Sequence, residues 1–340
     1  MKKRQFWETF ILVPAFFLAC RAYASDLVVY SALDLETSEE IIETFKRQTH
    51  LDIELALQME QAGTVASRIR EEATDPQADI LMGGNSNIHT SLGSGGLLQK
   101  YRSNMVDEAM IDPKYMDPNG YWSGWYLGAI CILYNKKRFN EEIAPRGITP
   151  PSSWDDLLEP AYHGNVVLPN PLTTGIGVII MAVQIFRSGD TDAGFHFMAR
   201  LNRNVRLYSR DSVGPIELIS KGEAILGSAW GHDAIARKKQ EDLPIKIVFP
   251  IDDGYEIGAA SIIKGCKHLA AAEKFIDFLL TRAPAEINAR TGFRYPVRKG
   301  VLLPAGLPPF EEIRFVTYDH GLVAKNVESW KKRWAKIAGY

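Results

Sequence analysis

The feature that most constrains this chain is a repeated two-part unit: a short apolar run that ends in small or polar residues, followed by a segment with apolar residues at helical spacing. DLVVYSA (Asp26 to Ala32) is the first such run, LDIELAL (Leu51 to Leu57) the second and ADILMGG (Ala78 to Gly84) the third. A strand with one face in water alternates apolar and polar residues; an unbroken apolar run suits a strand covered on both faces, as in a parallel sheet. Between the first two runs, Ile41, Ile42 and Phe45 give a helix its apolar stripe, and Thr37-Ser38-Glu39-Glu40 reads as a capping box at its start. TVASRIREEA (64–73) supplies the next helix. This β-α-β-α-β order is the opening of a doubly wound α/β lobe.

The alternation resumes in mid-chain. Strands are expected at ICILYN, NVVLPN, VRLYS, AILGSAW and IKIVFP, and helices at SSWDDLLE, GVIIMAVQIF, AGFHFMARLN, PIELISKGE and DAIARKKQ. GAASIIKG followed by HLAAAEKFIDFLLT adds another strand and helix, and VESWKKRWAKIA closes the chain as an amphipathic helix. At 340 residues the chain exceeds what one hydrophobic core usually serves, so two lobes are expected. Residues 25–125 with 251–300 would form one lobe, 126–250 the other, and 301–340 a C-terminal helical segment packing on both. Crossings near 121–130 and 246–258 would join the lobes around a hinged cleft.

The first 24 residues differ from the rest. Lys2, Lys3 and Arg4 are followed by the apolar run Ile11 to Cys20 and by Ala22-Tyr23-Ala24, the pattern of a secretory signal peptide cleaved after Ala24. The run is shorter than the ~20 residues a membrane span needs. FLAC offers a rival reading, a lipoprotein start at Cys20. Cleavage removes Lys2, Lys3, Arg4, Arg21 and Glu8, which takes the formal charge from −2 to −5. A mildly acidic chain without a run of lysines and arginines lacks the footprint of a nucleic-acid binder. Only Cys131 and Cys266 then remain, each in an apolar context that predicts buried free thiols rather than a disulfide framework.

In open α/β sheets, ligands sit beyond the carboxyl ends of the strands, so the residues just after each strand are the informative ones. They are Ser31; Gly84 and Asn85; Thr173, Thr174 and Gly175; Arg210 and Ser212; His232 and Asp233; and Glu256. Thr174-Gly175 leads into an apolar helix, and 209–212 precedes Gly214-Pro215, so each loop would present helix-start amides to an anion. Plain N-capping by threonine and serine is the structural alternative. His232, Asp233 and Glu256 differ in kind, because an ionised carboxylate only accepts hydrogen bonds and the hydroxyls of a polyol need acceptors. A ligand with phosphate at one end and a polyol at the other would match both sets. The structural alternative has Asp233 capping its helix and His232 as an ordinary loop residue.

Catalytic signatures are missing from the sequence: it contains no G-x-S-x-G elbow, no G-x-x-x-x-G-K-[ST] loop and no HExxH. Thr174-Gly175-Ile176-Gly177 lacks the third glycine of a dinucleotide fingerprint. The seven histidines are scattered, so a zinc site would need one histidine with carboxylates. The chain is therefore expected to be no enzyme and to need neither cofactor nor metal.

Taken together, LVVYSA, ADILMGGN, WYLGAICILYNKKRF, PSSWDDLLEPAYHGNVVLPNP, the TTGIG loop, VGPIELISKGEAILGSAW and FPIDDGYEIGAASIIKG resemble the periplasmic solute-binding proteins of ABC importers. The likeness is to the branch with ferric-ion, phosphonate and sugar-phosphate binders and covers most of the chain. It implies a type II periplasmic binding protein of two α/β lobes, acting as a monomer that delivers its ligand to a membrane permease and its ATPase. In ferric binders a pair of adjacent tyrosines follows the strand equivalent to AILGSAW; here that place holds Trp230-Gly231-His232-Asp233. A hard trivalent cation prefers anionic oxygen ligands, so the replacement argues against iron. The sugar-phosphate binders resemble the chain more closely, which implies that His232, Asp233 and Glu256 hold sugar hydroxyls while the serine and threonine loops take the phosphate. Two rivals stand beside this expectation: ferric iron held by Glu256, His232 and Tyr255 or Tyr208, and an exported phosphate-ester hydrolase using His232 and Asp233.

Overall fold

The computed structural model describes residues 25–59, 61–107 and 110–340. The signal-peptide and lipoprotein readings fall on residues 1–24 and lie outside the described residues. The first half alternates as the apolar runs dictate: β1 (Leu27–Ser31), α1 (Leu35–Thr49), β2 (Ile53–Gln58), α2 (Ala62–Glu71), β3 (Ile80–Asn85), α3 (Ser86–Ser94) and the short β4 (Leu98–Gln99). A long strand, β5 (Ser123–Asn135), and a single turn, α4 (Lys136–Arg138), lead into the second series. That series runs β6 (Val166–Pro169), α5 (Gly175–Arg187), α6 (Thr191–Asn202), β7 (Val205–Ser209), α7 (Gly214–Ser220), β8 (Leu226–Trp230), α8 (Gly231–Glu241) and β9 (Ile245–Val248). The chain then returns through β10 (Tyr255–Ile263), α9 (Leu269–Leu279), α10 (Arg282–Gly292) and β11 (Tyr295–Pro296) before ending in α11 (His320–Ala338).

All strands join one mixed sheet, with the main order β2-β1-β3-β10-β5-β8-β6-β7. β1 is parallel to β2 and β3, and β6 is parallel to β7 and β8, so each half keeps the parallel core that its unbroken apolar strands require. β10 is antiparallel to both β3 and β5. β5 serves both halves: Ser123 to Ala129 pair with β10, whereas Ile130 to Tyr134 pair with β8. The packing follows this division. Leu27, Val29, Ile80 and Phe275 belong to one buried cluster, and Ile132, Trp154, Ile179 and Phe195 to another. Each such side chain stabilises its half by roughly 1.5–3 kcal/mol when fully buried.

Several local expectations are corrected. The cap of α1 is Asp34, whose carboxylate accepts from the Thr37 N–H at 2.9 Å, and the capping-box residues Thr37 and Ser38 lie buried one turn inside the helix. SSWDDLLE forms only a 3₁₀ turn over Asp155–Leu158, because the Asp156 carboxylate ties the Ser152 and Ser153 amides and Pro160 follows. Both cysteines are free, but Cys266 is only partly buried. The C-terminal helix lays Val323, Trp330 and Trp334 into the second cluster.

Candidate functional site

Between the two cores the strand ends enclose a cavity of about 510 Å³. Gly84, Asn85, Thr173, Thr174, Gly175, Arg210, Ser212, His232, Asp233 and Glu256 all line it. Ser31 does not. It is fully buried, its hydroxyl 2.8 Å from Ser38 Oγ and accepting from the Leu33 N–H at 3.2 Å, so it shapes the turn into α1 behind the cavity wall.

One wall is made of helix starts. Thr174 caps α5, its Oγ1 accepting from the Gly177 N–H at 3.1 Å and donating to the Asn170 carbonyl at 2.8 Å. That hydroxyl is occupied by the helix; what α5 offers the cavity is its first amides, at Gly175 and Ile176, which have no intrahelical acceptor. α2 was not singled out from the sequence, yet its start faces the same space. Gln61 at its N-cap makes no capping side-chain bond, and Ala62, Gly63 and Thr64 line the cavity. Two helix starts bring partial positive charge to one place. Gly84 permits this closeness: its φ is +81°, and a Cβ there would lie 2.7 Å from the Ala62 Cβ. Asn85 caps α3 through Oδ1, while its Nδ2 lies against Gly175 so closely that a side chain at 175 has no room.

The loop before α7 departs from expectation. Asp211 Oδ1 accepts from the Val213 and Gly214 amides at 3.1 and 2.6 Å, so the helix start expected to receive an anion already holds a carboxylate of the chain. From that loop Arg210, exposed at the cavity rim, remains as a charge donor.

The opposite wall joins a helix start to two crossing strands. His232 and Asp233 open α8 directly after β8, with Trp230 as the N-cap residue, so Asp233 sits in the first turn and does not cap. Glu256 pairs across the sheet with Gly128 of β5. A Cβ on Gly128 would lie 2.9 Å from the His232 ring and 3.1 Å from Glu256 Oε1, so glycine there is what lets both side chains share the space. His232 Nε2 is 3.4 Å from Asp233 Oδ1, its Nδ1 has no protein partner, and its ring stacks on Trp230 with centroids 5.8 Å apart.

Burial holds the His232 imidazole well below its ordinary pKa, with Arg294 adding to the effect, so it is neutral at neutral pH. Burial pushes the Glu256 carboxyl up to about 8, Arg294 opposing and Asp233 adding. Arg294 is the residue the sequence reading missed most completely. It lines the cavity while 7% exposed, with Nη1 2.8 Å from Asp34 Oδ2 and its guanidinium carbon 5.4 Å from the centre of the Tyr126 ring. Burial works against its charge, but Tyr126, Asp34 and Asp233 outweigh it and hold the guanidinium protonated. The available signal was one cation inside the apolar run GFRYPV.

The tyrosines considered for iron lie elsewhere. Tyr255 packs edge-on against Phe310 and Phe315, and Tyr208 donates to Asn202 Oδ1 at 3.0 Å with its ring edge-on to Trp334. Among the described residues no three His, Cys, Asp or Glu side chains form a metal-holding group.

Two α/β halves that share crossing strands and enclose a polar cavity between them define a type II periplasmic binding protein. Residues 75–320 match the bacterial extracellular solute-binding protein family, and the chain belongs to that family. It is a periplasmic solute-binding component of an ABC importer. It is 25% identical over 282 residues to a putative 2-aminoethylphosphonate-binding periplasmic protein of Salmonella typhimurium, covering 81% of this chain and 76% of that one. Among solved structures it is similar to the periplasmic binding protein AfuA of Actinobacillus pleuropneumoniae with fructose-6-phosphate bound: TM-score 0.80, 25% identity, 92% of this chain and 98% of that one. Iron-bound HitA of Pseudomonas aeruginosa shares the fold at TM-score 0.77 and 22% identity, over 91% and 98%.

Proposed function

We propose that this importer component captures a phosphorylated sugar or a similar organophosphate, after export by the segment 1–24, and passes it to the permease and its ATPase. One observation carries the reading: a single cavity joins the first amides of α2 and α5, with Arg210, to a wall of His232, Asp233 and Glu256. The first set suits a phosphate; the second suits hydroxyls, with Glu256, protonated below about 8, donating as well as accepting. A guanidinium in the second wall opposes a bare trivalent cation there, which favours the organophosphate over iron. The fructose-6-phosphate bound to AfuA supports the same choice. The residues 25–125 with 251–300, and 126–250, act in this reading as the two jaws.

Titration calorimetry with glucose 6-phosphate tests it. The wild type binds, and Asp233→Ala, which removes an acceptor from a partly exposed helix start, weakens binding by about a hundredfold or more while the thermal transition stays in place. Undiminished affinity in that variant would remove the acceptor role. A visible tyrosinate band on adding ferric citrate, with no response to organophosphates, would transfer the function to iron. Inorganic phosphate released on long incubation would make the protein a hydrolase instead.

A further inference from the structure

A second cavity, of about 520 Å³, lies outside the cleft, between α8 with β9 on one side and residues 305–308 on the other. Its floor is apolar: Ile235, Ile247 and Phe249, with Pro308 on the facing wall. Three cations stand around it, Lys238 and Lys239 from α8 and Lys246 from β9. None of them takes part in an ion pair among the described residues; Lys239 instead stands over the Phe293 ring at 5.2 Å. The proposed ligand cleft uses none of these groups, although α8 contributes to both places, His232 and Asp233 in its first turn and the lysines two turns later.

An apolar hollow of this volume is within the size range of small-molecule sites. Filling it removes apolar surface from water at about 25 cal/mol per Å². Three lysines without a carboxylate ion pair make the rim favourable to negative charge, where a bound anion keeps much of its strength because one side is protein and not water. A neutral apolar molecule would gain nothing from the lysines, and a small hydrophilic anion would leave the floor wet. We propose that this hollow is a second binding site, for a monomeric amphipathic anion with an apolar body on Phe249 and Ile247 and a carboxylate, sulfonate or phosphate head among Lys238, Lys239 and Lys246.

The probe is 8-anilinonaphthalene-1-sulfonate, which carries both features and fluoresces when its rings leave water. The full mature chain binds one equivalent saturably, monomeric dodecanoate displaces it, and glucose 6-phosphate does not. The double substitution Lys238→Glu with Lys246→Glu, on one half-buried and one exposed side chain, weakens binding by at least about tenfold without moving the thermal transition. Lys238→Arg with Lys246→Arg keeps it. Dye uptake that is unsaturable, or that the charge reversal leaves unchanged, would overturn the site. So would sedimentation with phosphatidylglycerol vesicles in the absence of any response to the monomeric probes, since the lysines would then serve a membrane surface.

Discussion

At the scale of single residues, the acceptor wall is governed by burial. Glu256 is 6% exposed, and its carboxyl ionises near 8 in the fold against 4.5 in the unfolded chain. Between those values the unfolded state has released its proton and the folded state has kept it, so the stability from the neutral form is fully present below 4.5 and is lost as pH rises toward 8. Glu256→Gln keeps the shape and removes the titration. Urea unfolding of both proteins at pH 5 and pH 8 is expected to show the wild type losing, on the order of a few kcal/mol, more stability over that interval than the variant. Asp253, also fully buried and raised by burial, contributes with the same sign in both proteins and cancels in the difference. Equal losses would mean that Glu256 is ionised in the fold.

At the scale of elements, what was legible in the sequence follows from what is local. β1, β3 and β8 could be read because a strand buried on both faces needs an unbroken apolar run, and the residues after them could be placed because strand ends converge. The start of α1 could not be read, because Thr37 and Ser38 have the chemistry of a cap but meet partners distant in sequence or across the turn: Thr37 Oγ1 lies 2.7 Å from Thr291 Oγ1, and Ser38 Oγ lies 2.8 Å from Ser31 Oγ. Gly128 and Arg294 escaped for a related reason. Each matters through strand register or through contacts 260 positions away, such as Arg294 with Asp34, and no spacing along the chain records that. The closing helix α11 was legible as amphipathic, and its two tryptophans show what it does for the second core. Trp334 is 2% exposed and meets the Tyr208 ring edge-on at 4.8 Å. Trp334→Ala is expected to cost about 3–5 kcal/mol in urea unfolding, the usual range for an aromatic side chain deleted from a core. A loss below about 1 kcal/mol would show that α11 contributes little to holding that core.

At the scale of the whole molecule, the two halves are joined by the shared strand β5 and by the return from β9 to β10. β5 passes from one sheet half to the other between Ala129 and Ile130, and the chain returns from β9 to β10 through residues 249–254, where Asp252 has a φ of +59°. A ligand that touches both walls favours the closed arrangement only by the contacts it makes there and nowhere else. One place where the halves approach each other across the cavity is Asn85 of β3 against Gly175 of α5, and the absence of a side chain at 175 leaves room for the Asn85 amide. A side chain at 175 should therefore hold the jaws apart without disturbing either core, since the position lies at the open end of a helix. Gly175→Val is expected to weaken glucose 6-phosphate binding by at least about tenfold. Small-angle scattering separates this from simple loss of a contact: the wild type's radius of gyration decreases on adding the ligand, and the variant's remains at the unliganded value even when the ligand is saturating. A variant that contracts like the wild type would show that the jaws meet without the Asn85 to Gly175 approach, and closure would have to be assigned to the acceptor wall alone.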